Sequence, residues 1–183
     1  MSPVRYTRLA PGPTTTRRAA GGGTAGGGGR GAAERASDQQ LNAIGFAGEW
    51  LAYRWLAERY PHQFTDECWV SANRAQVLPG DRGDDGLGYD FIVPSRGGPV
   101  MYEVKSTTED GGEIRLGESE VLAAQRNARN NWWRLLVITN ALSTERRMLQ
   151  LRNPFAPMSR GRYTFAGQGL RLLYHPDDGA GQR

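Results

Sequence analysis

The stretch that most constrains how this chain can fold is residues 88–107, which read Gly-Tyr-Asp-Phe-Ile-Val, a Pro/Gly loop from Pro94 to Pro99, then Val-Met-Tyr-Glu-Val-Lys-Ser-Thr. Two apolar runs rich in β-branched and aromatic residues around such a loop predict a β-hairpin. Pairing Val93 with Val100 sets an antiparallel register in which Asp90 stands opposite Glu103. Cβ atoms of such cross-strand partners lie about 4.5–5.5 Å apart.

Alternation along the second strand sends Met101, Glu103 and Lys105 to one face, and Val100, Tyr102 and Val104 to the other. Asp90, Glu103 and Lys105 therefore share a face. Two carboxylates this close repel, and one takes up a proton unless a cation lies between them. A hard divalent ion with oxygen ligands, Mg²⁺ or Mn²⁺, is the simplest resolution. A solvated sheet face carrying an ordinary Lys-Glu pair is the competing reading. Composition bears on the choice, because Lys105 is the only lysine among 23 basic residues. A compact ammonium that can change its pKa differs chemically from a guanidinium that is always charged, so the exception at position 105 suggests a specific task.

At 183 residues the chain can hold one domain with a sizeable core, plus appendages. Its charge is uneven. Residues 1–36 carry six arginines and one acid, or +5 against +4 for the whole chain, which leaves −1 for the remainder. The high pI thus belongs to this arm, and the rest is not a uniformly basic nucleic-acid platform. The arm is Gly-rich with almost no large apolar residues after Leu9, so it is expected to be disordered. It would either add weak, salt-sensitive affinity for phosphate backbones or act only as a solubilising extension. Residues 37–175 are expected to form the domain, and 176–183 a second disordered tail. The single cysteine, Cys68, allows no intrachain disulfide and reads as a small core residue in a reducing compartment. With no apolar signal segment and no run of about 18–20 apolar residues, a cytoplasmic protein without membrane contact is expected.

Ser37 or Asp38 can cap a first helix running to about Tyr60, before Pro61. Leu41, Ile44, Gly48, Leu51, Ala52 and Trp55 define its buried stripe, with Glu49 on the stripe's edge, only partly buried, and Glu58 outside. Gly45 and Gly48 each weaken the helix by about 1 kcal/mol relative to Ala, a cost that close approach to a sheet would justify. Residues 68–71 are a short strand candidate and 73–87 a loop. The acids Asp81, Asp84 and Asp85 in that loop lack the twelfth-position Glu of a calcium loop. A turn at 108–112, a strand at 113–116 and a second helix at about 118–130 follow, with Val121, Ala124, Gln125 and Ala128 facing inward. Glu120 reads as a capping or supporting residue. Residues 132–140 are a strand buried on both faces and 148–152 another. Residues 163–165 and 170–174 would add edge strands. His62 and His175 lie beside Pro, far apart, with neither a nucleophile nor metal-ligand spacing.

A helix with Glu, a strand with Asp, a strand with Glu-x-Lys, a helix and a buried strand, in that order, resemble the PD-(D/E)XK nuclease superfamily. Within it the nearest likeness is to the domain named after the C-terminus of protein NO VEIN. The residues carrying it are Gly48-Glu49, Gly88-Tyr89-Asp90, Glu103 to Thr107, Glu120 with Ala123-Ala124, and Asn153-Pro154. The resemblance implies an α/β, restriction-endonuclease-like fold, a mixed central sheet flanked by helices. It also implies a Mg²⁺- or Mn²⁺-dependent endonuclease that hydrolyses phosphodiester bonds, in DNA above all, for defence, restriction or repair. Asp90 and Glu103 would bind the ion, Glu49 would join through water or a second ion, and Lys105 would orient or deprotonate the attacking water. The alternative is a non-catalytic module that keeps this scaffold and docks to nucleic acid, a partner protein or a second copy of itself. Arg126, Arg129 and Arg134 with Trp132 and Trp133 would serve that role, although the tryptophans read first as core.

Overall fold

The computed structural model describes residues 31–80, 82–110, 112–166 and 170–174. Residues 1–30 of the arm, Asp81, His175 and the tail from 176 lie outside the described residues.

Helix α1 spans Gly31–Arg59. It begins ahead of the expected Ser37 or Asp38 cap, because residues 32–36 read Ala-Ala-Glu-Arg-Ala and favour helix strongly. The buried line of α1 is Gly45, Gly48, Glu49, Ala52 and Leu56, while Leu41, Ile44, Leu51 and Trp55 are half-buried. The stripe is rotated because small residues let the helix come close to the sheet. A Cβ on Gly48 would stand 2.6 Å from Ser106 Cβ and Oγ. Ser106 Oγ also donates to the Ile44 carbonyl at 2.9 Å, tying helix to strand.

Seven strands follow: β1 (Phe91–Val93), β2 (Val100–Ser106), β3 (Glu113–Leu116), β4 (Trp133–Thr139), β5 (Arg147–Arg152), β6 (Tyr163–Ala166) and β7 (Leu170–Tyr174). The β1–β2 hairpin has the predicted register, Val93 opposite Val100 and Phe91 opposite Tyr102. β2 runs parallel to β4, and β4 antiparallel to β5, which gives a mixed four-stranded sheet in the order β1-β2-β4-β5. The strands expected at the edge of this sheet instead form a second, antiparallel sheet, β3-β7-β6, with β7 in its centre. The reason is burial: Leu172 and Tyr174 on β7 pack with Ile114 and Leu116 on β3 in a core that the first sheet alone would leave open.

The four-stranded sheet separates two cores. On one face α1 packs Ala52 and Leu56 against Tyr102, Val104, Leu136 and Ile138. On the other, Trp133, Leu135, Val137, Leu149 and Leu151 meet helix α2 (Glu118–Arg126) and the second sheet. β4 alternates between the cores, which explains its unbroken apolar run. The strand expected at 68–71 reduces to a single bridge, Trp69 to Phe91, between short 3₁₀ turns. α2 stops at Arg126, short of residue 130, because Asn127 turns its side chain back onto the Ala123 carbonyl at 2.8 Å. Its inward residues are Ala123 and Ala124; Gln125, expected inward, is exposed. Trp133 is fully buried and Trp132 half-buried. Among the described residues no helix is long and apolar enough to cross a membrane.

Candidate active site

The site grows from the start of the hairpin. Gly88 has φ +78°, and a Cβ there would lie 2.2 Å from the Ser119 carbonyl, so only glycine lets the chain enter β1 against the first turn of α2. Trp133 Nε1 donates to the Gly88 carbonyl at 2.8 Å and fixes the entry from the sheet side. Two residues on, Asp90 is pinned by its backbone to Tyr102 O (2.9 Å), and its Oδ2 accepts from Val104 N at 2.8 Å. The register then places Asp90 opposite Glu103, as the sequence requires. Both are buried, at 7% and 4% exposure.

Lys105, two residues beyond Glu103 on the same face, places its Nζ 2.8 Å from Glu103 Oε1 and 2.7 Å from Glu120 Oε1. Glu120 comes from the first turn of α2, where its Oε2 accepts from Gly117 N at 2.9 Å. It is thus both a helix cap and an ionic partner. Asp90, Glu103, Lys105 and Glu120 line one cleft of about 580 Å³, with the exposed Arg115 of β3 and Asn42 of α1 also on its wall.

Electrostatics in the cleft are lopsided. Burial, with the charges of Asp90 and Glu120, pushes the Glu103 carboxyl well above its usual range, and Lys105 only partly counters this. Burial alone would also raise Glu120, but the Lys105 charge and the Gly117 N–H hold it below its usual value. For Lys105 burial pulls down, yet its two carboxylate neighbours win and raise it. The Lys105–Glu120 pair is therefore the settled one. Glu103 is the acid that the arrangement leaves raised, crowded by Asp90 and Glu120 even with Lys105 Nζ beside it.

Glu49 does not line this cleft. It is 1% exposed rather than at a half-buried edge, on the side of the sheet covered by α1. Trp69 Nε1 (2.9 Å) and Ser71 Oγ donate to its Oε2, and Asn73 Nδ2 (2.5 Å) to its Oε1. Those three donors explain how a carboxylate is buried in the centre of the helix face. Ser71 N also donates to the Asp90 carbonyl at 3.3 Å, which links Glu49 to the hairpin at one remove. The sequence-predicted quartet thus divides into Asp90, Glu103 and Lys105 together, with Glu49 in a neighbouring network. Sequence reasoning missed Ser71 and Asn73 as the holders of Glu49, and Arg115 and Asn42 as cleft residues. Nothing in their local spacing marks such long-range contacts.

A divalent ion can be tested against this donor set. Among the described residues no three His, Cys, Asp or Glu side chains are grouped to hold a metal ion between them. Asp90 and Glu103 do offer a two-carboxylate set of hard oxygens, the number Mg²⁺ takes when waters and phosphate oxygens complete its shell. The crowding of Glu103 by Asp90 and Glu120, which raises its carboxyl, fits the same ion.

Fold and site together define an α/β domain with a carboxylate–lysine cleft on a mixed sheet. Residues 49–151 match the model of the family described as Protein NO VEIN, C-terminal, and the chain belongs to that family. The match contains Glu49, Asp90, Glu103, Lys105 and Glu120. No curated protein and no solved structure matches the chain.

Proposed function

We propose that this chain is a metal-dependent nuclease that hydrolyses phosphodiester bonds in DNA. The observation that carries the reading is the cleft itself: paired Asp90 and Glu103 carboxyls, one raised by burial and repulsion, with the chain's only lysine ammonium 2.8 Å from Glu103. The order of motifs, which resembles the PD-(D/E)XK superfamily, adds support. Asp90 and Glu103 would hold Mg²⁺ or Mn²⁺, which when bound supplies Lewis-acid stabilisation and acidifies its water. Glu103 would hold the ion in its ionised form, so metal binding would be favoured at higher pH. Lys105 offsets negative charge at the scissile phosphate and orients the incoming water from its fixed seat beside Glu103. Arg115, exposed on the cleft wall, is placed to meet a flanking phosphate. Glu49 serves indirectly, by holding the Ser71 segment that grips Asp90.

The test is cleavage of linear, supercoiled, branched and single-stranded DNA with Mg²⁺ or Mn²⁺, with Glu103→Gln as the folded control. Metal-dependent cutting that vanishes in the control supports the reading. Intact substrates throughout, with either metal, would sink it. A second reading, a binding module without chemistry, is favoured by the engagement of Lys105 with two acids. DNA binding that is independent of metal and unchanged in Glu103→Gln would select it.

A further inference from the structure

We propose that Glu120 is the positioning residue of this site, a bracket on α2 that holds the Lys105 ammonium in place beside Glu103. The proposal rests on the nuclease reading for its kinetic arm only. Three observations carry it. Both Glu120 oxygens are used, Oε1 on Lys105 Nζ at 2.7 Å and Oε2 on Gly117 N at 2.9 Å, so the carboxylate cannot swing without breaking a contact. Its helix packs closely against Gly88 through the Ser119 carbonyl and Ala123, and Gly88 is itself bound to Trp133. The side chains involved are nearly sealed, with 12% exposure for Lys105, 17% for Glu120 and 5% for Glu103.

A lysine has four rotatable bonds and an ammonium that water would otherwise solvate, so one carboxylate on its own strand does not fix it. The contact to Glu103 is made from the same strand. The contact to Glu120 comes from another element, and two anchors on separate elements define a position. Misplacing such a group by about 1 Å can cost about 10²-fold in rate.

The chain's composition makes the test unusually clean. Because Lys105 is the only lysine, protein labelled with ¹⁵N-lysine has a single side-chain ammonium signal. In the full chain this signal is expected to be visible at neutral pH, since its partners shield it from water. Glu120→Gln keeps an oxygen for Gly117 N but loses the charge; the signal should broaden away or shift. Glu58→Gln, which removes an exposed acid on the outer face of α1, should leave it unchanged. In cleavage assays Glu120→Gln should lower kcat by at least about tenfold with little change in KM. Should Glu120→Gln fail to fold, Glu120→Asp keeps the charge and a capping oxygen but loses reach, and should give the same two changes. An unaltered ammonium signal in a folded variant overturns the proposal, as does an effect confined to KM. If the wild type cuts nothing, the nuclease reading falls, while the ammonium signal still decides whether Glu120 holds Lys105.

Discussion

Glu103 carries the clearest conflict at the residue scale. Its folded pKa is raised by burial, then by Asp90 and Glu120, against the opposing pull of Lys105. A carboxyl raised on folding contributes stability fully below its unfolded value, near 4.5, and loses it as pH rises through the folded value. The metal-free protein should therefore lose stability from about pH 4.5 upward on this account. Glu103→Gln should flatten that slope and raise Tm at neutral pH by a few degrees, for a gain on the order of 1 kcal/mol. Thermal melts from pH 4.5 to 8 check it; equal slopes in the two proteins would contradict the assignment. Mg²⁺ should stabilise the wild type more at the upper end of that range, and Glu103→Gln little at any pH. Lys105→Ala should behave in the opposite way. It leaves two nearly buried carboxylates without their cation, at a cost of about 3 kcal/mol, so its loss of cleavage is interpretable only beside its melting curve. The shared face of Asp90, Glu103 and Lys105 was legible because strand alternation is strictly two-fold. The burial of Glu49 was not, since helical projection gives an angle but cannot say that Trp69, Ser71 and Asn73 will cover it.

Among the elements, the meeting of α1 with β2 and of α2 with the hairpin decides where the site groups lie. Gly48 allows the first contact. A methyl there would gain about 1 kcal/mol of helix propensity but meet Ser106 Cβ and Oγ at 2.6 Å, so Gly48→Ala should lower stability by a net ~1–2 kcal/mol. Combining it with Ser106→Gly should recover most of the steric part, seen as a coupling of about 1 kcal/mol in a double-mutant cycle of denaturation midpoints. Simple additivity would show that the helix does not rest on Ser106. This contact was partly legible, as two glycines four and one residues before Glu49 implied a close approach. The length of α2 was not, because its end is set by Asn127 competing for the Ala123 carbonyl; Gln125, inside the helix, is exposed because the buried side runs through Ala123 and Ala124. Nor was the extension of α1 back to Gly31, which the glycine-rich run ending at Gly31 and the cap residues Ser37 and Asp38 obscured.

For the whole molecule, the family match ends at Leu151 while the second sheet does not. β7, at residues 170–174, is the strand that pairs with β3, and it covers the core built by Trp133, Leu135, Val137 and Leu151. Which strands would pair across such distances was beyond reach of periodicity, which reports the faces of a strand but not its neighbour. The consequence reaches the cleft. β3 carries Arg115 and leads directly into Gly117 and Glu120, so the seat of Lys105 is only as firm as the sheet that β7 completes. Leu172, fully buried at the centre of that sheet, is the place to test this coupling. Leu172→Ala should cost about 2–5 kcal/mol through the cavity it leaves. In the variant that remains folded, the Lys105 ammonium signal should weaken although Leu172 does not line the cleft. A large loss of stability with an unchanged signal would mean that α2 is held by the hairpin alone, through Gly88 and Trp133, and that the second sheet is a cover rather than a support.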